Sequence, residues 1–461
     1  MPFLTEPSRR IPITDHCDVL VAGGGAAGYC AAIAAAREGA RTVLVERSAM
    51  LGGSATQALV LPLMTFHASP RRQVVAGIAQ ELVDLLKAEG ASPGHIPDPL
   101  GCAATVTPMD PEALKLAVCR LVADSGARTL LDTLVTTPWM TGRRVVGAVV
   151  ENKSGRSAIK AKVVVDATGD ADVAAAAGVP FSFGRGRDNK AQPMTLMFRM
   201  AGVDSAAVRR YCRAHPEEFV LSPEARRGLG RLPFLAVSGF FSLVRKAQAD
   251  GILGPFRDRV LYFELPAPGE VLVNMTRVSG LSGVDAAQSS AAALAALFQV
   301  REAAAFMRTR LPGFSHSRLV ETASRVGVRE TRRIQGRCTL TAEDVLEGRD
   351  FPDSVARGAF PIDLHDPEGA GLTMKRMKAG ASYGIPYRCL LPKAVEGLLV
   401  AGRAISATHE ANASARLSPT CMALGQAAGT AGALCAAAGV LPSRLDCGLL
   451  RRKLKSRGAV I

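Results

Sequence analysis

Six residues near the N-terminus constrain this chain more than any others: Gly23-Gly24-Gly25-Ala26-Ala27-Gly28. They follow an apolar run of strand type, Asp18–Ala22, and open a helix of small residues that reaches about Glu38. A second strand is expected over Arg41–Val45, so the chain begins as a βαβ unit. Gly23 permits the tight turn, Gly25 lets backbone approach a pyrophosphate, and Gly28 lets the helix lie close to the strand. Ala26 and Ala27 stand at the helix N-terminus, whose free N–H groups and dipole favour negative charge. Context turns a weak hexad into a strong signal. Glu46 ends the second strand, where its carboxylate accepts from both hydroxyls of an adenosine ribose and repels a 2′-phosphate. Arg47 follows it.

That unit suits NAD and FAD equally, and three further segments favour FAD. Gly52 and Gly53 make a second glycine turn, carried on by Ser54 and Thr56, able to lie against the pyrophosphate and ribityl chain of a long cofactor. An apolar strand over Val163–Val165 ends in Ala167-Thr168-Gly169-Asp170. Another, over Gly397–Ala401, breaks at Gly402-Arg403, and Ser418-Pro419-Thr420-Cys421 then opens the longest helix. Ser418 is expected to cap that helix and Pro419 to take its first position. Its N–H groups would then stabilise negative charge on a reduced flavin ring.

Between these landmarks the period alternates. Helices are expected over 72–90 and 111–125, the latter opened by Asp110-Pro111-Glu112. Strands Arg128–Asp132, Thr133–Met140, Val145–Glu151 and Ile159–Val165 read as an antiparallel meander. Residues 1–16 read as an irregular arm. From 181 to 387 strands at Thr195–Met200, Val260–Glu264 and Val271–Asn274 mix with a helix over Ala286–Arg310. The expected fold is α/β: a discontinuous Rossmann-like FAD-binding domain over 15–180 and 388–461, with an inserted α+β substrate domain over 181–387.

The chain has 461 residues, enough for more than one packed unit. Its net charge of +15 comes from scattered basic clusters without interleaved aromatics, which argues against a nucleic-acid surface and suits an anionic small substrate equally well. The ten cysteines form no CxxC pair and no zinc spacing, so buried thiols in a reducing, cytoplasmic setting and no metal are expected. Arg9-Arg10 lacks the apolar core of an export signal. The stretch Met422–Val440 could span a bilayer by length, but Gln426 and Thr430 within it favour a buried helix, and no membrane span is expected.

Taken together, these segments resemble the FAD-dependent oxidoreductase family related to fumarate reductase and succinate dehydrogenase flavoproteins. The resemblance extends through Asp166–Asp172, Gln192–Phe198, Arg329–Ile334, Thr341–Val345, Gly402–Glu410 and Pro419–Met422. It implies that Glu46 binds the ribose and that the Val135 backbone meets the adenine. It also implies that Thr168–Asp170 line the cofactor, and that Gly402, Arg403 and the Ser418–Cys421 turn contact ribityl chain and ring. The substrate histidines and arginine of the fumarate and succinate enzymes have no recognisable motif here, so dicarboxylate chemistry does not carry over.

The expected reaction is hydride transfer between a small organic molecule and flavin N5, with an NAD-dependent dehydrogenase and a flavoprotein acting on RNA or another polyanion as alternatives. His409, Arg416, Arg332, His365 and Tyr387 are the candidates to hold substrate or move the proton. Each has a structural competitor. For His409 this is a loop carbonyl; for Arg416 and Arg332, ion pairs with Glu410 or Glu330; for Tyr387 and His365, simple packing. His67, beyond the second glycine turn, could reach the flavin edge.

Overall fold

The computed structural model describes residue 4 and residues 8–369 and 371–461. Strand β1 (Ile13–Ala22) turns on the glycine loop into α1 (Ala26–Arg37), and the chain returns along β2 (Thr42–Val45). Val19–Ala22 and all of β2 are buried, as strands covered on both faces must be. β3 (Arg128–Leu130) lies parallel on β2 and extends this parallel sheet; it is not the first strand of the meander that the sequence suggested. Three residues with one exposed and two half-buried side chains carry no period that separates the two placements. The meander itself is β4 (Leu134–Thr141), β5 (Arg144–Asn152) and β6 (Gly155–Asp166).

Strand order is β3-β2-β1-β6-β5-β4, and β6 is the hinge of the sheet. One edge of β6 pairs with β1 from Ala158 to Asp166. The other edge is shared: its first half takes β5, and Val164–Asp166 take β7 (Leu398–Val400) in parallel. The length of β6 also explains why β1 begins at Ile13, inside the expected irregular arm: Ala158–Ala161 offer partners to residues whose exposed side chains hide the strand signal. In register, Ala22 stands beside Val45 and Asp166, and Asp166 beside Val400. Four parallel strands therefore end on one edge, the edge where open α/β sheets bind ligands.

Beyond β2 the second glycine turn leads into a short helix, α2 (Ser54–Gln57). The expected helix over 72–90 is shorter, Ile78–Ala88, because Arg72–Gln73 pairs as a strand with His67–Ser69 and Gly77 turns the chain at φ +64. Asp110 caps Pro111–Asp124 by accepting from the Glu112 and Ala113 amides, as its sequence foretold. A separate antiparallel sheet follows the order Ala236–Gly239, Val260–Glu264, Val271–Val273, Phe198–Ala201, Arg318–Thr322. Helix α3 (Ala286–Arg310) has the expected bounds. After β7 come α4 (His409–Ala415) and α5 (Ser418–Ala438), and a further helix, Cys447–Ser456, follows them.

Uncharged α5 is a core helix. It is long and apolar enough to cross a membrane, but 78% of its apolar window is buried inside the protein. Its closest neighbour is α1, and glycines set the approach. A Cβ on Gly425 would stand 2.0 Å from the Ala27 carbonyl oxygen, and one on Gly429 2.1 Å from that of Ala31. The helices meet backbone to backbone. Buried Gln426 stitches the surroundings, accepting from the Ile78 amide at 3.1 Å and donating to the Arg457 carbonyl at 3.3 Å.

This contact reverses an ordinary rule. Replacing a helix-interior glycine by alanine normally gains about 1 kcal/mol. Gly429→Ala should instead destabilise by about 1–3 kcal/mol, because its methyl group meets a carbonyl that cannot swing away. Gly228→Ala, with nothing within 4 Å of the new methyl, should be neutral or stabilising. Urea denaturation of the two variants beside the parent chain measures both signs.

Candidate functional site

The loops at that shared strand edge enclose a cleft of about 420 Å³, within the usual range for ligand pockets. Gly23 is forced by its surroundings: φ is +96 and a Cβ would lie 2.5 Å from the Ala167 carbonyl oxygen. Gly28 is forced too, since a Cβ there would stand 1.7 Å from the Gly23 oxygen. Gly25 differs. A Cβ on it would meet only the Gly53 Cα, at 3.7 Å, so folding alone does not demand glycine there. Gly24, the unspecified position of the hexad, is constrained as well, by Leu51 Cδ2 at 2.5 Å. The two glycine turns sit back to back, with the Gly52 amide donating to the Gly24 carbonyl at 2.8 Å.

Gly25 precedes α1 and no side chain caps that helix, so its first amides are left facing the cleft lined by Ala26 and Ala27. Glu46 is 6% exposed and holds the adjoining loops: one carboxylate oxygen accepts from the Gly24 amide at 2.6 Å, the other from the Ser48 amide at 2.9 Å. A carboxylate has about four acceptor positions, so two remain for a diol. A smaller pocket continues beyond it, lined by Thr133, Leu134, Val135, Thr168 and Asp172 together with Gly23, Glu46 and Arg47. Arg47 and Arg325 also line the cleft, and among the described residues neither guanidinium has a hydrogen bond or an ion pair within 4 Å.

The second turn contributes Gly53 and Ser54 to the lining, while Gly52 and Thr56 lie behind it. Thr56 is structural: its hydroxyl donates to the Leu51 carbonyl at 2.7 Å. Ala167, Thr168, Gly169 and Asp170 line the cleft after β6, and Gly402 and Arg403 after β7. Arg403 is largely occupied by the protein, donating to the carbonyls of Gly169 and Val328 and to the Asp170 carboxylate. It brackets the two loops together. Asp166 lies beneath them, its carboxyl raised to about 6 by burial, with the Thr168 hydroxyl and two backbone amides acting against that rise.

Ser418 and Cys421 line the far end; Pro419 and Thr420 do not. Contrary to expectation Ser418 does not cap α5. Leu417 occupies the cap position without a side-chain bond, Ser418 is the first helical residue, and Pro419 is second. The Thr420 hydroxyl is buried without a partner. This helix terminus is consequently more open to a ligand than a serine-capped one.

Of the five candidates for the reaction, only Arg416 lines the cleft. Its terminal nitrogen donates to Gln192 Oε1 and to the Asp363 carbonyl, both at 3.3 Å, and lies 3.7 Å from the Asp363 carboxylate. It does not pair with Glu410. His365 stands two residues along the same strand, its Nε2 3.3 Å from that carboxylate. Burial, then Arg329, holds the His365 imidazole down to about 3, with Asp363 pulling the other way. Burial works against ionisation of Asp363 too, but His365, Arg416 and Arg329 outweigh it and keep its carboxyl below the usual range. At neutral pH the pair is an aspartate beside a neutral histidine.

The other three candidates are placed elsewhere. His409 Nδ1 meets Glu330 Oε1 at 2.8 Å, a carboxylate and not the loop carbonyl expected. Glu330 takes Arg333, not Arg332, as its ion-pair partner, and both are almost wholly buried. Arg332 pairs with Asp172 at 2.9 Å and donates to the Asp170 carbonyl. Tyr387 is 3% exposed, and its hydroxyl donates to the Pro442 carbonyl at 3.1 Å, away from the cleft. His67 bonds Thr105 and does not reach the lining either. Gln192 and Arg329 open segments that carry the family resemblance but were given no role in the sequence, and Asp363 and Arg325 were not singled out at all. The i, i+2 spacing of Asp363 and His365 on one strand was the available signal for that pair.

A buried carboxylate with free acceptor positions, an uncapped glycine-lined helix terminus, two open cations and a second uncapped helix terminus meet in one cleft, an arrangement that suits an elongated anionic ligand. The family model for FAD dependent oxidoreductases matches residues 18–454, and the chain belongs to that family. Its cofactor is FAD, which decides between the two dinucleotides that the glycine loop left open. Among curated proteins none matches in sequence. Similar solved structures include a geranylgeranyl bacteriochlorophyll reductase-like protein from Thermoplasma acidophilum, at 15% identity and TM-score 0.47, covering 96% of this chain and 84% of that one. Another is a triple mutant of a flavin-dependent brominase, at 12% identity and TM-score 0.48, with the same two coverages.

Two outcomes check this geometry. Gly25→Ala should fold with unchanged stability when free of flavin yet bind FAD at least about tenfold more weakly, because its methyl fills cradle and not core. Gly28→Ala should fail to accumulate as folded protein. Apoprotein denaturation and FAD titration separate the two. The second outcome concerns pH. The folded His365 value lies below the 6.5 of the unfolded chain, so the unfolded chain takes up that proton first as pH falls, and stability drains away from 6.5 down to about 3. Between pH 6.5 and 4.5 the parent should lose about 2 kcal/mol more than His365→Asn in urea denaturation.

Proposed function

We propose that this oxidoreductase exchanges hydride between flavin N5 and a small organic substrate seated at the Arg416 end of the cleft. When bound, FAD supplies a two-electron acceptor or donor at that atom. Glu46 would hold the adenosine ribose and the Val135 pocket the adenine. The amides after Gly25, with Arg47 and Arg325, would hold the diphosphate. The α5 terminus at Ser418–Cys421 would face the ring. On this reading 15–180 and 388–461 form the cofactor unit, and 181–387 supplies the substrate side.

One observation carries the placement of the substrate: Arg416 faces the cleft and at the same time the Asp363–His365 pair. Arg416 orients a substrate acceptor group by a charge-assisted hydrogen bond. Asp363 stays ionised and fixes the guanidinium. Neutral His365 places one ring nitrogen on that carboxylate and so holds Asp363 against Arg416, a positioning role behind the cleft wall. The segments that resemble fumarate reductase and succinate dehydrogenase flavoproteins support this end, because Gln192 contacts Arg416 and Arg329 stands among the charges around Asp363.

The test is an anaerobic one. FAD-loaded protein is mixed with a panel of 2-hydroxy acids, amines and unsaturated acids, the last after dithionite reduction, and the flavin band is followed. A hit should bleach or restore the band with a rate that slows when the reacting C–H of the reductant is deuterated. Arg416→Ala should retain flavin but react about a hundredfold or more slowly. An Arg416→Ala protein that reacts at the parental rate removes the proposed seat.

A further inference from the structure

Two more arginines stand near this end with too few protein acceptors. Arg257, in the segment before the Val260–Glu264 strand, is 8% exposed, and Arg277, after the Val271–Val273 strand, is 7% exposed. Among the described residues the Arg257 guanidinium has no hydrogen bond and no ion pair within 4 Å, and its Nε is buried without a partner. The adjacent Asp258 carboxylate is taken by Arg259 through two bonds of 2.9 and 2.7 Å. Arg277 donates to the carbonyls of Asp366 and Gly371 through one terminal nitrogen, while its Nε is unpartnered. Gln192, 2% exposed, accepts from Arg416 but its amide nitrogen finds no acceptor.

Hydrogen bonds tie this set together: Gln192 Oε1 accepts from both Arg416 and the His365 amide at 3.3 Å, and Arg277 reaches the carbonyl of the next residue, Asp366, at 2.6 Å. Arg329 is repelled by Arg416, Arg257 and Arg277 and attracted by Asp363, and Arg257 in turn is repelled by Arg277 and attracted by Asp363. The unanswered atoms of the arginines and of Gln192 are all donors. A buried lysine could shed its proton and become neutral, but a guanidinium cannot in the working range. Burial lowers Arg257 only to about 10. Unpaired buried charge of one sign is costly to a fold unless a ligand of the other sign answers it.

We propose that Arg257, Arg277 and Gln192 form an anion subsite beside Arg416, and that it holds an oxoanion group of the substrate away from the carbon that exchanges hydride. The inference rests on the substrate seat proposed above and names its class: an organic acid or phosphate ester, not a neutral alcohol or amine. It also assigns a use to part of the excess positive charge.

The experiment uses FAD-loaded protein at constant ionic strength, with malonate, inorganic phosphate and chloride as probes. Malonate or phosphate should raise the melting temperature saturably and perturb the flavin absorption band, while chloride does neither. Whichever of the two binds more tightly distinguishes a carboxylate from a phosphate. Arg257→Met replaces an unanswered charge by an apolar side chain. It should therefore melt higher than the parent in probe-free buffer and bind the probe at least about tenfold more weakly. Exposed Arg210→Met should change neither. The subsite is refuted if neither probe stabilises the parent more than chloride does. It is also refuted if Arg257→Met melts lower than the parent by the same amount with and without probe, the mark of a structural arginine. Failure of the hydride reading is separable: probes would still bind through Arg257 while no member of the substrate panel reacts with the flavin.

Discussion

The contact between α1 and α5 is the constraint on which the site depends. Gly425 and Gly429 let the two backbones touch at Ala27 and Ala31, so residues some four hundred positions apart in sequence become immediate neighbours. The consequence is electrostatic. Both helix N-termini open onto one cleft, neither has a side-chain cap, and the partial positive charges of their free amides point into a shared space. A fold that left such termini buried and unanswered would forfeit stability. On the proposed placement of FAD, its diphosphate answers one and the electron-rich edge of its ring the other. The same close approach draws Gly402 against Ala27, where a Cβ would lie 3.1 Å from the alanine methyl, and so sets β7 and its loop beside the glycine turn.

What could be read from the sequence follows from how local each cause is. The Gly23–Gly28 turn, the Asp110 cap and the bounds of α3 rest on residues adjacent along the chain, and their chemistry is visible there. The early start of β1 is not, because it depends on β6 being long enough to pair with Ile13. Ser418 illustrates a subtler failure. Its side chain suits a cap, but the helix begins one residue earlier in the chain's path, with Leu417 in the cap position. Gly24 and Gly425 show the same limit in another form. Each is required by atoms contributed from distant segments, Leu51 in one case and Ala27 in the other.

The arginines divide by the same logic. Arg333 and Arg403 are consumed by the fold. The first is tied to Glu330 and to the carbonyls of Ala407 and Gly184, the second to Asp170 and two carbonyls. Motif resemblance had drawn attention to this neighbourhood, and Arg332 in it also spends itself on Asp172. The buried arginines with free donors lie mostly in segments of 181–387 that match no local pattern, and only Arg416 among them was legible in advance. A guanidinium that is both buried and unanswered is rare in a folded chain, because the desolvation it suffers must be returned by some acceptor.

That distinction orders the cleft from one end to the other. Along the glycine turns most features are set by steric necessity or by a hydrogen bond within the protein, and the exceptions are Gly25, whose missing Cβ the fold does not require, the open amides after it, and Arg47 and Arg325. Around Asp363 the balance is reversed: several donors lack acceptors, and one carboxylate faces them. On the proposed reading the first region is shaped for a partner that stays, so the fold can be built around it. On the same reading the second is left electrostatically incomplete for a partner that arrives, reacts and leaves, because a complete network would bind its own side chains in preference to a substrate.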